Sequence, residues 1–246
     1  MKKLILLLIV AVCCTASATT FTVSPGDLAD GTTFANGQGG VPFGYDPDKP
    51  APKGSDIAGP AGYETGCFWS DVQGSDPRKY TALRMSPKDI FGVSDVTISQ
   101  LTNISYYTKN MDIALNDWQL KIYTEVITTG WYGHRFNFVR PQAADNDWHQ
   151  YDTLGMAVDW IYGTGANSHP ANTYLADLYS TYGDEKILFI DIIAGINSPA
   201  YPVDSYLDGV SISISGYEAA NINLIPEPTT IALLGLGIAG LLRKKQ

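Results

Sequence analysis

Residues 118–126, WQLKIYTEV, alternate in character. Trp118, Leu120, Ile122 and Val126 fall on one side, and Gln119, Lys121, Tyr123 and Glu125 on the other. Alternation at every second residue is the period of a strand with one covered face, and it is incompatible with the 3.6-residue period of a helix. Residues 206–215 obey the same rule, with Val210, Ile212 and Ile214 set against Ser211, Ser213 and Ser215. Shorter pieces of the same kind occur at 80–85, 96–98, 104–108, 135–139 (Phe136 and Phe138 inward), 148–152 and 156–160, separated by Ser, Pro, Asp, Asn and Gly. Residues 186–193 form a nearly continuous apolar run broken only by Asp191, as in a central strand covered on both sides. One helical signal interrupts the series. Leu175, Leu178, Tyr179 and Tyr182 recur at three- and four-residue spacing, with Asn172 as cap and Gly183 as stop. About eight to ten short strands with turns at roughly 8–12-residue intervals and one short helix predict an all-β, antiparallel β-sandwich.

The two ends of the chain follow other rules. Lys2 and Lys3 precede an apolar run at 4–12, and Ala16-Ser17-Ala18 has the small-x-small form of a signal-peptidase site. Cleavage is expected after Ala18. Val12 before Cys13, and Cys13 before Cys14, make lipidation the weaker reading. At the other end, residues 225–246 read IPEPTTIALLGLGIAGLLRKKQ. Residues 230–242 carry no charge, and Arg243, Lys244 and Lys245 follow at once. At ~1.5 Å per residue, 225–242 reaches roughly 27 Å, barely a hydrocarbon core, and the terminal cations favour a cytoplasmic C-terminus. Pro226 and Pro228 exclude helix, so 225–228 is expected to be extended and protease-accessible.

The order Pro226-Glu227-Pro228, apolar helix, basic end resembles the PEP-CTERM sorting signal of exported bacterial proteins, which exosortases handle. The resemblance implies that Pro226, Glu227 and Pro228 are the recognition motif, and that the helix and basic end hold it at the inner membrane. The partners implied are the export machinery, signal peptidase and an exosortase-type transpeptidase. The location implied is export across the inner membrane, transient anchoring, then the cell surface or extracellular matrix. Three segments follow: a signal peptide at 1–18, a body at 19–224, and a sorting segment with a single membrane helix at 225–246.

Removing Lys2, Lys3, Glu227, Arg243, Lys244 and Lys245 from 16 basic and 25 acidic residues leaves 11 and 24, a net charge of −13. Such a body repels nucleic acid and anionic lipid. Cys67 is the only cysteine outside the signal peptide, so no internal disulfide forms; a buried small hydrophobe is the expectation, a reactive thiol the alternative. Residues 37–62 hold too many glycines and prolines for a helix or long strand, and are expected to be a surface excursion pinned by Phe43, Tyr45 and Tyr63, or disordered.

A second resemblance lies in the body. The short helix, the apolar strand ending at Ala194-Gly195 and the closing segment from Leu207 to Ile212 (LDGVSI) are similar to the laminin-G, concanavalin and carbohydrate-binding-module group of jelly-roll sandwiches. Asp208 then serves to turn the chain into its last strand.

No Gly-x-Ser-x-Gly elbow occurs. His134, His149 and His169 match no zinc spacing, and Glu64, Glu125, Glu185 and Glu218 lack the alternating acidic neighbours of sandwich glycosidases. A non-catalytic protein without cofactor is therefore expected. Asp145, Asn146, Asp147 and Asp152 form either a calcium-binding set or, more simply, a solvated turn. Residues 130–135, GWYGHR, place Trp131, Tyr132 and His134 at the start of a strand, with Tyr123 outward on the preceding one. Rings beside hydrogen-bonding groups suit the faces and hydroxyls of a sugar. Trp118 and Trp148 are expected in the core. The leading functional reading is a surface or matrix protein binding exopolysaccharide. The alternatives are a secreted glycan-active hydrolase with an unrecognised carboxylate pair, or a purely structural matrix component.

Overall fold

The computed structural model describes residues 18–30, 40–46, 49–63, 65–72, 80–110, 117–127, 130–163, 167–195 and 203–227. In chain order the strands are β1 (Thr19–Val23), β2 (Phe43–Gly44), β3 (Lys53–Ser55), β4 (Cys67–Val72), β5 (Thr81–Met85), β6 (Leu101–Asn110), β7 (Gln119–Thr124), β8 (Arg135–Phe138), β9 (Trp148–Asp152), β10 (Val158–Tyr162), β11 (Ile187–Ala194), β12 (Val203–Ile214) and β13 (Ala220–Leu224). They form two sheets, a jelly-roll-like β-sandwich. The first is built on β12, which pairs with β6 along one edge; β4 and β13 share its other edge. β3, β9 and β1 complete that sheet, and only β1 with β13 is parallel. The second sheet runs β10-β8-β7-β11-β5-β2, every pair antiparallel.

The alternation of β7 explains its place. Leu120 and Ile122 face inward beside Phe136 and Phe138 of β8 and Ile190 and Ile192 of β11, and all six are buried in one core. From the first sheet, Phe68, Ile104, Tyr106, Val210 and Ile212 meet them. Trp118 is wholly buried, whereas Val126 is exposed, beyond the end of β7. Trp148 is only partly buried on β9, where its indole N–H donates to the Ala58 carbonyl at 3.1 Å.

Several expectations are corrected. The helix expected from Asn172 begins later, as a 3-10 turn at Leu175–Leu178 that passes into one α-helical turn at Tyr179–Tyr182. Asn172 has φ of +50°, and the backbone N–H taken up at its start is that of Tyr174, by the Asp177 carboxylate. The glycine- and proline-rich excursion supplies β2 and β3, the edge strands of both sheets, and Phe43 packs edge-on to Phe21 at 5.4 Å. Asp208 lies inside β12 rather than before it, at a bulge that lets Leu207 and Val210 both face the core. Its Oδ1 accepts the N–H groups of Gly209 (2.7 Å) and Leu224 (2.8 Å), tying the end of β13 to β12. Cys67, by contrast, is buried as expected, and burial pushes its thiol up to about 12.

Among the described residues no helix is long and apolar enough to cross a membrane. The signal segment through residue 17, the short strand piece expected at 31–34, Glu64, and Pro228 with the C-terminal helix and Arg243, Lys244 and Lys245 lie outside the described residues.

Candidate glycan-binding face

Cross-strand partners in an antiparallel sheet point to the same face, so register alone assembles the outer surface of the second sheet. One row runs Tyr162, Arg135, Tyr123, Phe189 across β10, β8, β7 and β11. The next runs Trp160, Asn137, Lys121, Asp191, Arg84 and ends on β5. Gln119 follows, with Arg140 just beyond β8. None of these side chains belongs to the interior core.

The loop after β7 folds over the first row. Gly130, at φ +115°, allows the turn, and the Trp131 ring lies 5.3 Å from Tyr123 and 6.1 Å from Phe189, stacked at 17° on the latter. Tyr132 stands edge-on to both Trp131 (4.6 Å) and Tyr123 (5.5 Å). Tyr123 is thereby buried, while Trp131 remains 58% exposed. Across the face, Trp160 stacks on Tyr162 at 5.8 Å and is 37% exposed. Two exposed indoles thus flank a polar strip.

That strip is charged. Arg84 donates through Nε and Nη2 to the two oxygens of Asp191, at 2.9 and 3.0 Å, and its guanidinium lies 3.9 Å above the Phe189 ring. Burial pushes the Asp191 carboxyl up, and Arg84 opposes the shift by its charge and its two parallel N–H···O bonds. Arg135 lies over the Tyr162 ring at 4.0 Å, with Tyr132 and Tyr123 at 5.8 and 5.9 Å. Arg140 donates to the Asp117 carbonyl (2.6 Å) and to Gln119 Oε1 (3.2 Å). Lys121 is pushed down to about 8, by burial first and then by Arg135 and Arg140, against a smaller pull from Asp191.

Of the four residues that sequence reasoning grouped, Tyr123, Trp131 and Tyr132 come together. His134 does not: as the immediate neighbour of Arg135 it points to the opposite side. There its Nδ1 lies 2.8 Å from Glu185 Oε1, its ring rests edge-on to Tyr182 at 4.9 Å, and Gly163 packs against it too closely to allow a Cβ. Arg135 lies in the segment 130–135, Lys121 in the outward set of 118–126, and Trp160 is open between core and surface by sequence, but none was assigned to the site; Asn137 and Tyr162 were missed. The acidic turn is engaged with itself: Asp145 accepts from the Asp147 N–H and contacts His149 Nε2, and Asp152 accepts from Gly155. Among the described residues no group of three His, Cys, Asp or Glu side chains is arranged to hold a metal.

The sorting motif is reached directly from β13. The Ile225 N–H donates to the Val23 carbonyl at 2.9 Å, extending the parallel pair with β1. Pro226 then sits on the bare Cα atoms of Gly54 and Gly66, where a Cβ would come within 2.5 and 2.3 Å of it. The lead-in is therefore seated on the sandwich edge, and Glu227 is the first exposed residue.

Two comparisons define what the chain is similar to. The body is a two-sheet β-sandwich, similar to the Family 11 Carbohydrate-Binding Module of cellulosomal cellulase Lic26A-Cel5E of Clostridium thermocellum. That similarity has 14% identity and a TM-score of 0.40, over 73% of this chain and 91% of that one. Residues 224–246 match the PEP-CTERM protein-sorting motif, which marks an exported exosortase substrate bound for the cell surface or exterior. No curated protein matches the chain.

Proposed function

We propose that this exported protein is a non-catalytic glycan-binding component of the cell surface or extracellular matrix, and that it binds polysaccharide on the outer face of its second sheet. The supporting observation is the exposed Trp131, held rigidly over Phe189 and Tyr123 and braced by Tyr132. A ring already fixed by its neighbours loses little conformational freedom when a sugar stacks on it, and the polar strip beside it meets the hydroxyls. His134 faces elsewhere and takes no part. In this reading the segment 225–246 serves as a temporary anchor until an exosortase-type transpeptidase removes it.

The test is affinity electrophoresis of the full-length protein, in mild detergent, through gels containing neutral and acidic polysaccharides. Retardation of the wild type, weakened at least tenfold (about 1.4 kcal/mol) in Trp131→Ala, supports the assignment. Equal retardation of both proteins rejects this face.

A further inference from the structure

Outside its ends the chain carries 24 acidic and 11 basic residues. In such a protein a cation finds a carboxylate easily, as Arg84 does with Asp191 and Lys186 with Asp95 at 3.0 Å. The outer face of the second sheet breaks this pattern. Lys121, Arg135 and Arg140 stand on β7, on β8 and just past β8, and none has a carboxylate oxygen within 4.0 Å among the described residues. Asp191, the acid nearest Lys121 in register, is committed to Arg84 by two hydrogen bonds.

The hydrogen-bonding inventory agrees. Among the described residues, Arg135 Nε and Asn137 Oδ1 are buried without a partner, and no hydrogen bond or ion pair joins the Lys121 ammonium. Arg140, by contrast, is occupied by Asp117 and Gln119. Buried polar atoms without partners cost about 1–3 kcal/mol each, and like charges on adjacent strands oppose one another. A ligand anion lowers the repulsion between the cations and offers an acceptor to the Arg135 and Lys121 donors, while Asn137 Oδ1, an acceptor itself, needs a sugar hydroxyl to donate to it. Arg135 presents its ring-stacked face to Tyr162, so its donors lie along the edge, the geometry that receives a planar carboxylate. Acidic residues elsewhere on the surface are screened beyond about 8 Å at physiological salt and do not cancel a contact of this range.

Resting on the glycan reading above, we propose that the polysaccharide is acidic: a uronic-acid polymer whose sugar carboxylate is received by Lys121 and Arg135 while its rings stack on Trp131 and Trp160. Arg84 is shared between Asp191 and Asp46, at 2.9 and 4.0 Å, so that end of the strip offers no free cation and the anion is confined to the centre.

The experiment measures binding of the full-length protein in mild detergent to galacturonan, mannuronan and guluronan, to each polymer with its carboxyls reduced to alcohols, and to single-stranded DNA. The expected result is at least tenfold tighter binding to one polyuronate than to its reduced form. That preference should fall with added salt, disappear in Lys121→Gln/Arg135→Gln, and return in part with Arg135→Lys. Residual binding to the reduced polymer should survive in the double variant. Equal affinity for a polyuronate and its reduced form overturns the acidic assignment and leaves the glycan reading standing. Binding to none of the sugars overturns both, and tighter binding to DNA makes the strip a phosphate site instead. The wild-type comparison decides the matter even if the double variant does not fold.

Discussion

Asp208 offers the most quantitative check on the fold. Its carboxylate is fully buried where β12 changes partner from β4 to β13. Oδ1 accepts two backbone N–H groups, but among the described residues Oδ2 has no partner, and it abuts Gly59. Burial outweighs the two hydrogen bonds and pushes the carboxyl from 3.8 up to about 7. Between about pH 4 and pH 7 the native state thus keeps a proton that the unfolded chain has released, so stability falls as pH rises through that window and the loss is complete above pH 7. About three units at 1.36 kcal/mol each set a ceiling of about 4 kcal/mol, against a typical total of 5–15 kcal/mol. Asp208→Asn keeps the acceptor for Gly209 and Leu224 and removes the charge. Urea unfolding followed by tryptophan fluorescence should show the variant near wild type at pH 4 and more stable by a few kcal/mol at pH 8. Asp117, pushed up to about 6 mainly by burial, gives the wild type a slope of the same sign, and the difference between the two proteins removes it. A difference that does not change with pH, or a variant less stable at pH 8, would refute the reasoning.

Three further outcomes are expected. Arg84→Ala leaves Asp191 buried without its partner and should destabilise by about 3–5 kcal/mol in the same urea assay, whereas Arg84→Met/Asp191→Leu should recover most of that loss; equal damage from both would contradict the ion-pair account. Trp131→Ala should shift stability by no more than about 1 kcal/mol while losing polysaccharide retardation, because most of the ring faces solvent; a large drop in unfolding midpoint would make it a packing residue. Gly54→Ala puts a Cβ 2.5 Å from Pro226 Cα and must unseat the start of the sorting motif. The Ile225 N–H, bonded to the Val23 carbonyl beside that seat, should then exchange with deuterium several-fold faster than in wild type, and an unchanged rate would show that Pro226 is not held there.

The sandwich was legible wherever alternation was strong. Residues 118–126 declared their inward and outward faces, and the apolar run at 186–193 declared a central strand, β11, flanked by β7 and β5. Weakly patterned edges were harder: β2 and β3 are two and three residues long and owe their conformation to the neighbours they pair with. β4 and β13 also depend on pairing with β12, a contact distant in sequence. The site was half legible for the same reason. Tyr123, Trp131 and Tyr132 are close in sequence, and local reasoning found them. Arg135, Asn137, Trp160 and Tyr162 reach the face only through the register of β7, β8 and β10. The strand period itself carried the signal that was overlooked at His134: neighbours in a strand face opposite ways, so His134 and Arg135 cannot both join Tyr123.

The most direct test of the central claim is oxidative footprinting of the tryptophans, read by mass spectrometry, with and without saturating polyuronate. Trp131 and Trp160 should be labelled in the free protein and strongly protected in the complex, while the buried Trp118 stays unlabelled in both. Unchanged labelling of Trp131 and Trp160 in a protein shown to be saturated with polymer would contradict the assignment of this face.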